Sequence, residues 1–527
     1  MKAPNRGSYF VAAGILLSRL AGLVRQRIFS KYLGISEASD IWNAAFRIPN
    51  FLQNLFGEGA LSASFIPSYS RLLGEGRDEE ARRLAGAVLS LLAATVAILV
   101  LAGELATPWL VDLIVPRFTP ESRDITTTLV RILFPAAGLL VLSAWCLGVL
   151  NSHRKFLLSY AAPVVWNATI ILTVVLGAAG KSEMRFVVVA AWGAVFGSFL
   201  QIAVQWPVVR QVGGAIRPQN WRGVEGVPQV VHSFLPNLIS RGANQISALI
   251  DVWIAGFIPG AITAMGNAQV LYTLPVSLFG MAISAAELPE MSRERGDPEA
   301  IAQALRVRLD AATQRLAYYI IPSAVGFICL GGVISAAVFQ SGKFNHADSQ
   351  YVWIVLAGSA IGLLASTLGR LYASTFYALH DTTTPLRCGL VRIVLTGVLG
   401  LLAARVMPGL LGIDQKWGAA GITATAGIAG WIEFMLLRRG LRRRLGNFSL
   451  PRTELAKLWT AAVISGAAST AMRLVLPDGA APIPVLLATV PLNAVVFLGI
   501  TTGLDIPESA VLTGRIRRVA ARLWSRP

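Results

Sequence analysis

Apolar runs of about twenty residues recur along nearly the whole chain, and each could cross the roughly 30 Å hydrocarbon core of a bilayer as a helix. Short charged or Pro/Gly-rich breaks separate these runs, and dividing the chain at the breaks predicts about fourteen membrane-spanning helices. The pattern therefore predicts an all-α, polytopic membrane protein. The predicted helix centres lie near residues 20, 50, 95, 140, 168, 198, 245, 275, 327, 365, 396, 428, 465 and 493.

Composition supports the same fold class. The 527 residues are 54% hydrophobic and only 14% charged, and the mean hydropathy is +0.61. Soluble globular domains carry about 25% charged residues. These values exclude an ordinary soluble protein.

The basic excess is explained by membrane topology. Lys and Arg number 46 against 28 Asp and Glu, which gives a net charge of +18. If the N-terminus is cytoplasmic, most of these basic residues lie in connections between spans that also face the cytoplasm. The positive-inside rule therefore predicts that both termini are cytoplasmic, and no nucleic-acid partner is expected. The basic run 438–444 is interpreted as a topology signal that contacts anionic membrane lipids.

Little in the sequence indicates catalysis or metal binding. Three cysteines lie in apolar segments without paired spacing, and four histidines are scattered. No metal site and no cofactor are expected, although coupling to the membrane potential or to an ion gradient stays open. The residues concerned are Cys146, Cys329, Cys388, His153, His232, His346 and His380.

Arginines inside the predicted spans are the most informative residues. Each costs roughly 2.5 to 3.5 kcal/mol near the bilayer centre unless it faces water or an anion. Arg19 and Arg25 share the first span, which predicts a hydrated interior cavity. Six residues correspond to about 600° of helical turn and about 9 Å of rise, so the two would face one stripe only if the helix breaks. Gly22 is the predicted position of that break.

Three acidic side chains beyond the sixth predicted span suggest further roles. Asp251 and Arg392 both lie in apolar spans, and mutual pairing is the leading interpretation. The alternative is that Asp251 binds a coupling cation or a proton. Glu287 and Glu290, three residues apart at the end of a span, suggest gating or charge balance rather than catalysis.

An internal repeat divides the chain. Several short motifs recur at an offset of 222 residues, and each repeat holds six predicted helices. Because six is even, the repeats share one orientation and are related by an axis along the membrane normal, as in alternating-access transporters. The predicted parts are an N-lobe (1–215), a C-lobe (216–445), and two extra helices with a basic tail (446–527). Matching motifs are Ser18-Arg19 with Ser240-Arg241, Gly34 with Gly256, Pro67 with Pro289, and Ser70-Arg71 with Ser292-Arg293.

Four segments carry a resemblance to a known family. They are SRLAGLVRQRIFSKYLG, ASDIWNAAFRIPNFLQNLFGEGALSASFIPSYS, FQSGKF and FYALHDTTTPLR. The chain resembles the MurJ (MviN) lipid II flippases of the MOP exporter superfamily along essentially its whole length. The resemblance implies fourteen helices, two lobes around a V-shaped cavity, and a groove for a lipid tail beside the two extra helices.

The resemblance also implies a function. It predicts export of lipid II, the undecaprenyl-diphosphate-linked peptidoglycan precursor, from the inner to the outer leaflet of the bacterial cytoplasmic membrane by alternating access. Arginine suits such a cargo because its planar guanidinium forms paired, charge-assisted bonds with phosphate oxygens. The cell-wall synthesis machinery is a candidate partner.

Residue by residue, the resemblance assigns the cargo site to Arg19, Arg25, Asp40 and Arg370, and a gating or structural role to Glu58. Several family charges are missing, with Gln26, Gln53, Asn54 and Val270 in their places. Arg241 in the seventh span is expected to compensate for the missing charges.

The missing charges leave the cargo open. The chain could instead belong to a MOP-type exporter of another lipid-linked oligosaccharide or of amphipathic drugs. A membrane glycosyltransferase is a weaker alternative, because the largest predicted external connection, about residues 107–125, is short and not rich in acids.

Overall fold

The computed structural model describes residues 6–177, 180, 182–292, 297–379, 381–446, 452–477 and 479–514. Within these ranges the chain forms eighteen α-helices and one π-helical segment, η1, and no strand. The elements are α1 (Arg6–Leu33), α2 (Glu37–Phe56), α3 (Glu58–Gly74), α4 (Asp78–Ile114), α5 (Pro120–Ser152), α6 (Phe156–Gly177), α7 (Glu183–Gly213), α8 (Val227–Ala255), α9 (Ala261–Pro275), η1 (Val276–Met281), α10 (Ala282–Ser292), α11 (Pro298–Phe339), α12 (His346–Ala360), α13 (Leu363–Ala378), α14 (Thr383–Arg405), α15 (Met407–Leu411), α16 (Trp417–Leu445), α17 (Arg452–Val475) and α18 (Pro482–Gly503).

The predicted fold class is confirmed. All fourteen predicted centres fall inside helices. Within the described ranges, ten helical stretches are long and apolar enough to cross a membrane, and the bent pair α12 and α13 makes an eleventh. The predicted first, second and seventh spans are not among these stretches. α1 carries four arginines, and in α8 the apolar stretch found among the described residues is Gln245–Ala255.

Interruptions occur at matching places in the second and eighth predicted spans. Gly57 separates α2 from α3, and a Cβ there would lie 2.3 Å from the carbonyl oxygen of Gln53. Phe279 lies 222 residues further along the chain, inside η1. The offset found in the sequence therefore relates two positions where the regular helix is lost.

The tenth predicted span is also bent. α12 and α13 meet at an angle of 43°, and the bend packs against α16. A Cβ on Gly362 would lie 2.4 Å from the Cα of Gly427, and the indole N–H of Trp431 donates to the carbonyl of Ile361 at 2.9 Å. This contact fixes the start of α13, the helix that carries Arg370.

The chain divides into two compact units. Unit 1 comprises Met1–Thr263 with Ser341–Lys343, and unit 2 comprises Ala264–Gln340 with Phe344–Pro527. Unit 1 extends past residue 215, the predicted end of the N-lobe, because α8 packs against α2, α3 and α4. In unit 2 the two extra helices, α17 and α18, pack against α11.

The short segment Ser341–Lys343 joins unit 1 by direct contacts. The backbone N–H of Lys343 donates to the carbonyl of Lys31 at 2.9 Å, and its ammonium lies 2.5 Å from a carboxylate oxygen of Glu183. Gly342 has φ +58°, and a Cβ there would lie 2.4 Å from the same Lys31 carbonyl oxygen. The glycine of the FQSGKF motif is therefore required by both conformation and space.

We expect Gly342→Ala to lower the melting temperature of the purified protein. Alanine at positive φ costs about 1–2 kcal/mol, and overlap with Lys31 adds about 1–3 kcal/mol. Gly76→Ala is the matched control, because Gly76 has φ +73° but no neighbour within 4 Å of a Cβ. Equal losses in the two variants, measured by thermal unfolding in detergent, would contradict the contact argument.

Candidate functional site

Arg25 lies against aromatic rings in unit 1. Its guanidinium carbon is 4.9 Å from the ring centroid of Trp166 and 5.7 Å from that of Phe46, both suited to cation–π attraction. Its Nη1 atom is buried and has no hydrogen-bond partner among the described residues. Arg25 is thus held by ring faces, which stabilise the cation without using its N–H donors.

The ring that holds Arg25 is itself fixed by α7. The indole N–H of Trp166 donates to the carbonyl of Ala194 at 3.1 Å. A Cβ on Gly197 would lie 3.0 Å from Trp166 Cδ1, so α7 approaches the indole closely. Trp42 stacks on Phe46 at 5.6 Å and extends the row of rings. The packing sets the ring orientation independently of any ligand.

Arg19 and Arg25 lie in one continuous helix. α1 runs unbroken from Arg6 to Leu33 through Gly22, so the predicted break is wrong. A single glycine costs a helix only about 1 kcal/mol relative to alanine, which does not by itself interrupt it. Arg19 is exposed whereas Arg25 is half-buried, and the unbroken turn places them on different sides of α1.

Asp40, which the resemblance assigns to the cargo site, makes structural contacts. Its side chain is buried, with 5% of its surface exposed. Oδ2 accepts from the backbone N–H of Gly260 at 2.7 Å. Oδ1 accepts from the backbone N–H of Thr263 at 2.9 Å and from its hydroxyl at 2.7 Å. The carboxylate therefore caps the N-terminus of α9.

The structure corrects the predicted pair of Asp251 and Arg392. Arg392 Nη1 donates to Glu433 Oε2 at 3.1 Å, across α14 and α16. Asp251 in α8 interacts electrostatically with Arg47 in α2, within unit 1. Both arrangements follow from helix packing, because α14 lies along α16 and α8 lies along α2. Sequence spacing alone does not reveal which helices are neighbours.

One of the substituted positions also links α2 and α8. Asn54, which stands where the family tends to have a basic residue, donates from Nδ2 to Gln245 Oε1 at 3.0 Å. Gln53 beside it is half-buried. A neutral amide pair thus occupies a place where the family resemblance leads one to expect positive charge. Val270 lies half-buried on α9.

Glu287 balances positive charge at the end of α10. Its carboxylate is 3.1 Å from Arg315 and 3.7 Å from Arg308 of α11, while Glu290 is 3.4 Å from Arg308. These pairs favour the charge-balancing interpretation of Glu287. The side chains of Glu58 and Arg241 lie outside the described part of the structure.

A second polar cluster lies in unit 2, where Arg370 is found. The Tyr272 hydroxyl is 2.8 Å from the Ser366 hydroxyl, and Arg370 lies one turn further along α13. The charges of Arg392 and Glu433 both act on Arg370. Arg370 is exposed and has no ion-pair partner in the described ranges, so its guanidinium can accept an anionic ligand.

Three of these residues are not among those that the sequence predicts. Trp166 and Phe46 are aromatic residues within predicted spans, and nothing in their positions along the sequence indicates that they face Arg25. Glu433 was detectable, because it is a lone carboxylate in the apolar stretch GIAGWIEFMLL. Among the described residues, no group of three His, Cys, Asp or Glu side chains is placed to hold a metal ion.

Comparison with known proteins identifies the family. The family model described as lipid II flippase MurJ matches residues 29–484. A probable lipid II flippase MurJ of Rhizobium meliloti (strain 1021) is 30% identical over 467 residues, covering 87% of this chain and 84% of that protein. The lipid II flippase MurJ of Burkholderia cenocepacia is 28% identical over 442 residues, covering 82% and 83%.

Solved structures share the fold. A lipid II flippase MurJ in an inward closed conformation matches with a TM-score of 0.76 and 22% identity, covering 94% of this chain and 98% of that one. An inward-facing multidrug resistance MATE transporter of the MOP superfamily matches with a TM-score of 0.62 and 13% identity, covering 84% and 100%. Because the family model spans most of the chain and the curated relatives agree with it, this protein belongs to the MurJ lipid II flippase family of membrane transporters.

Proposed function

We propose that this protein moves lipid II from the inner to the outer leaflet of the bacterial cytoplasmic membrane by alternating access. The observation that carries the proposal is Arg25, whose guanidinium is held between aromatic rings with a buried, unused N–H donor group. Lipid II carries a diphosphate, and an arginine with free donors binds phosphate oxygens through charge-assisted bonds. The names of the relatives support the same cargo.

Each unit supplies cationic groups for the proposed binding of the head group. Arg25 and the exposed Arg19 are the cationic groups of α1, and Arg370 is that of unit 2. Arg241 is included in the proposal only because it matches Arg19 in the internal repeat. The glycan is too polar to cross hydrocarbon, so these groups serve to keep the head group in water while the polyprenyl tail stays in lipid. Transport is proposed to draw on the membrane potential or an ion gradient.

We further propose that both termini are cytoplasmic and that anionic lipids bind the end of α16. An open groove of about 510 Å³ there is lined by Met435, Arg438, Arg439, Arg442 and Arg443. The exposed Met435 suits acyl chains, and the four arginines suit phosphate head groups.

The end of α16 is anchored beside this groove. Arg444 lies 2.6 Å from Asp381 Oδ2. The Thr384 hydroxyl and backbone N–H groups, together with Arg444, hold the pKa of Asp381 below its usual range. The carboxylate therefore remains charged at physiological pH and keeps α16 tied to the start of α14.

Replacement of the native flippase tests the proposed function. The chain is expressed in cells depleted of their own lipid II flippase, with growth and the appearance of lipid II in the outer leaflet as readouts. We expect rescue of both. A correctly inserted protein that restores neither would contradict lipid II as the cargo.

The second candidate is a MOP-type exporter of other amphiphiles. It is favoured by the shared fold with a multidrug transporter and by the neutral pair of Asn54 and Gln245. Native mass spectrometry of the purified protein with lipid II, undecaprenyl phosphate and a cationic drug separates the two candidates. Preferential drug binding, unaffected by a double Arg19→Ala, Arg25→Ala variant, would favour the drug exporter.

We also propose a direct contact with the cell-wall synthesis machinery, which cross-linking in cells would test.

A further inference from the structure

Glu433 occupies an unusual place in unit 2. Its carboxylate lies between α13 and α14, and Arg392 Nη1 donates to Oε2 at 3.1 Å. The residues flanking it are glycines: a Cβ on Gly369 would lie 4.0 Å from Oε2, and one on Gly389 would lie 3.9 Å from Oε1. Since these residues have no side chains, nothing on either glycine shields the carboxylate from its surroundings.

The cluster around Glu433 has an excess of positive charge. Arg370 and Arg392 supply two cations against one carboxylate, and the charges of Arg392 and Glu433 both act on Arg370. The ion pair is accessible, because 39% of the Arg392 side chain and 17% of the Glu433 side chain are exposed. Arg392 is therefore open to a ligand, and Arg370 directly follows Gly369, the glycine beside Glu433 Oε2, on α13.

We propose that Glu433 is an internal competitor for the cargo anion, holding Arg392 when the site is empty and yielding it when a diphosphate binds at Arg370 and Arg392. This inference rests on the proposed function, since it requires a cargo that carries a diphosphate. It makes Glu433 a positioning residue, which acts on the cargo through Arg392.

Such a competitor would help the protein to release its cargo. A transporter must bind its cargo on one side and let it go on the other, and a ligand shifts an equilibrium only by its differential affinity for the two states. Two free arginines would hold a diphosphate tightly. A nearby carboxylate that recovers Arg392 lowers the affinity and repels the bound phosphates, which speeds dissociation.

Removing only the charge of Glu433 tests the proposal. Glu433→Gln keeps the size of the side chain and its acceptor oxygen. We expect this variant in nanodiscs to bind undecaprenyl diphosphate about tenfold more tightly, because a negative charge close to the ligand is lost. Transport of lipid II, measured in proteoliposomes, should become slower. A residue that served folding alone would not produce tighter binding together with slower transport.

Three further variants complete the design. Glu454→Gln is the matched control, because Glu454 pairs with Lys457 at 3.0 Å in α17, and its removal should change neither quantity. Glu433→Asp keeps the charge and should restore near-native binding and transport. Arg392→Gln should weaken binding. Adding Glu433→Gln to Arg392→Gln should have a smaller effect than in the native background, since the carboxylate acts in part through Arg392.

The outcomes are distinguishable. If the native protein binds undecaprenyl diphosphate and Glu433→Gln binds it equally or more weakly, the competitor role is wrong and the proposed function stands. If the native protein binds no undecaprenyl diphosphate, the proposed function itself fails. Should Glu433→Gln not fold, the Glu433→Asp and Arg392→Gln variants decide: unchanged binding in Arg392→Gln would overturn the inference.

Discussion

Replacing Arg25 by alanine should abolish transport while leaving the protein folded. The side chain has no ion-pair or hydrogen-bond partner at Nη1 among the described residues, so its removal strands no buried charge. The expected loss in affinity for lipid II is about 1.5–3 kcal/mol, the value of a hydrogen bond to a charged group, or roughly tenfold or more. Binding by native mass spectrometry and rescue of flippase-depleted cells are the measurements.

Arg25→Lys should fail almost as badly. Lysine keeps the positive charge but lacks the planar fork that stacks on Trp166 and binds two phosphate oxygens. Arg210→Ala is the control, because Arg210 is an exposed arginine in the last turn of α7. Native transport by the Arg25→Ala variant would remove Arg25 from the cargo site.

Asp40→Ala should destabilise the protein by about 2–4 kcal/mol, the combined effect of losing a helix cap and charged hydrogen bonds. The backbone N–H groups of Gly260 and Thr263 would lose their acceptor in a buried environment. The Thr263 hydroxyl would lose one as well. Thermal unfolding of the purified protein measures the effect.

Asp40→Asn should lie between the native protein and the alanine variant, since the amide retains one acceptor oxygen. Asp124→Ala is the control, because Asp124 is an exposed aspartate in α5. If Asp40→Ala kept its melting temperature and lost only lipid II binding, the capping role would be wrong and the predicted contact with cargo would be restored.

The sequence predicted the helices well because a span is a local property. A single segment of twenty apolar residues satisfies its backbone groups in lipid as a helix, so most of the fourteen centres follow from local hydrophobicity. The interruptions were harder to predict. Gly22 and Gly57 are both glycines within polar-flanked stretches, yet only Gly57 lies where the backbone turns back on a carbonyl oxygen. That difference depends on three-dimensional contacts.

The candidate site was predictable only in part. Arg25 and Arg370 stand out because an arginine in a span needs an explanation. Their partners depend on which helices pack together. The sequence predicts a pair of Asp251 and Arg392 because both are charges in apolar spans. In the structure α14 packs along α16 and brings Glu433 to Arg392. Trp166 could not have been singled out, because aromatic residues are common in every span.

The contact between Gly362 and Gly427 has an evolutionary consequence. A Cβ on Gly362 would lie 2.4 Å from the Cα of Gly427, and one on Gly427 would lie 2.7 Å from the backbone nitrogen of Gly362. Neither residue has a side chain to lose, so no change at one position can compensate for a larger residue at the other. We therefore expect the two positions to remain glycine in relatives that keep this bend, and not to covary. Variation there should accompany a straightened tenth span.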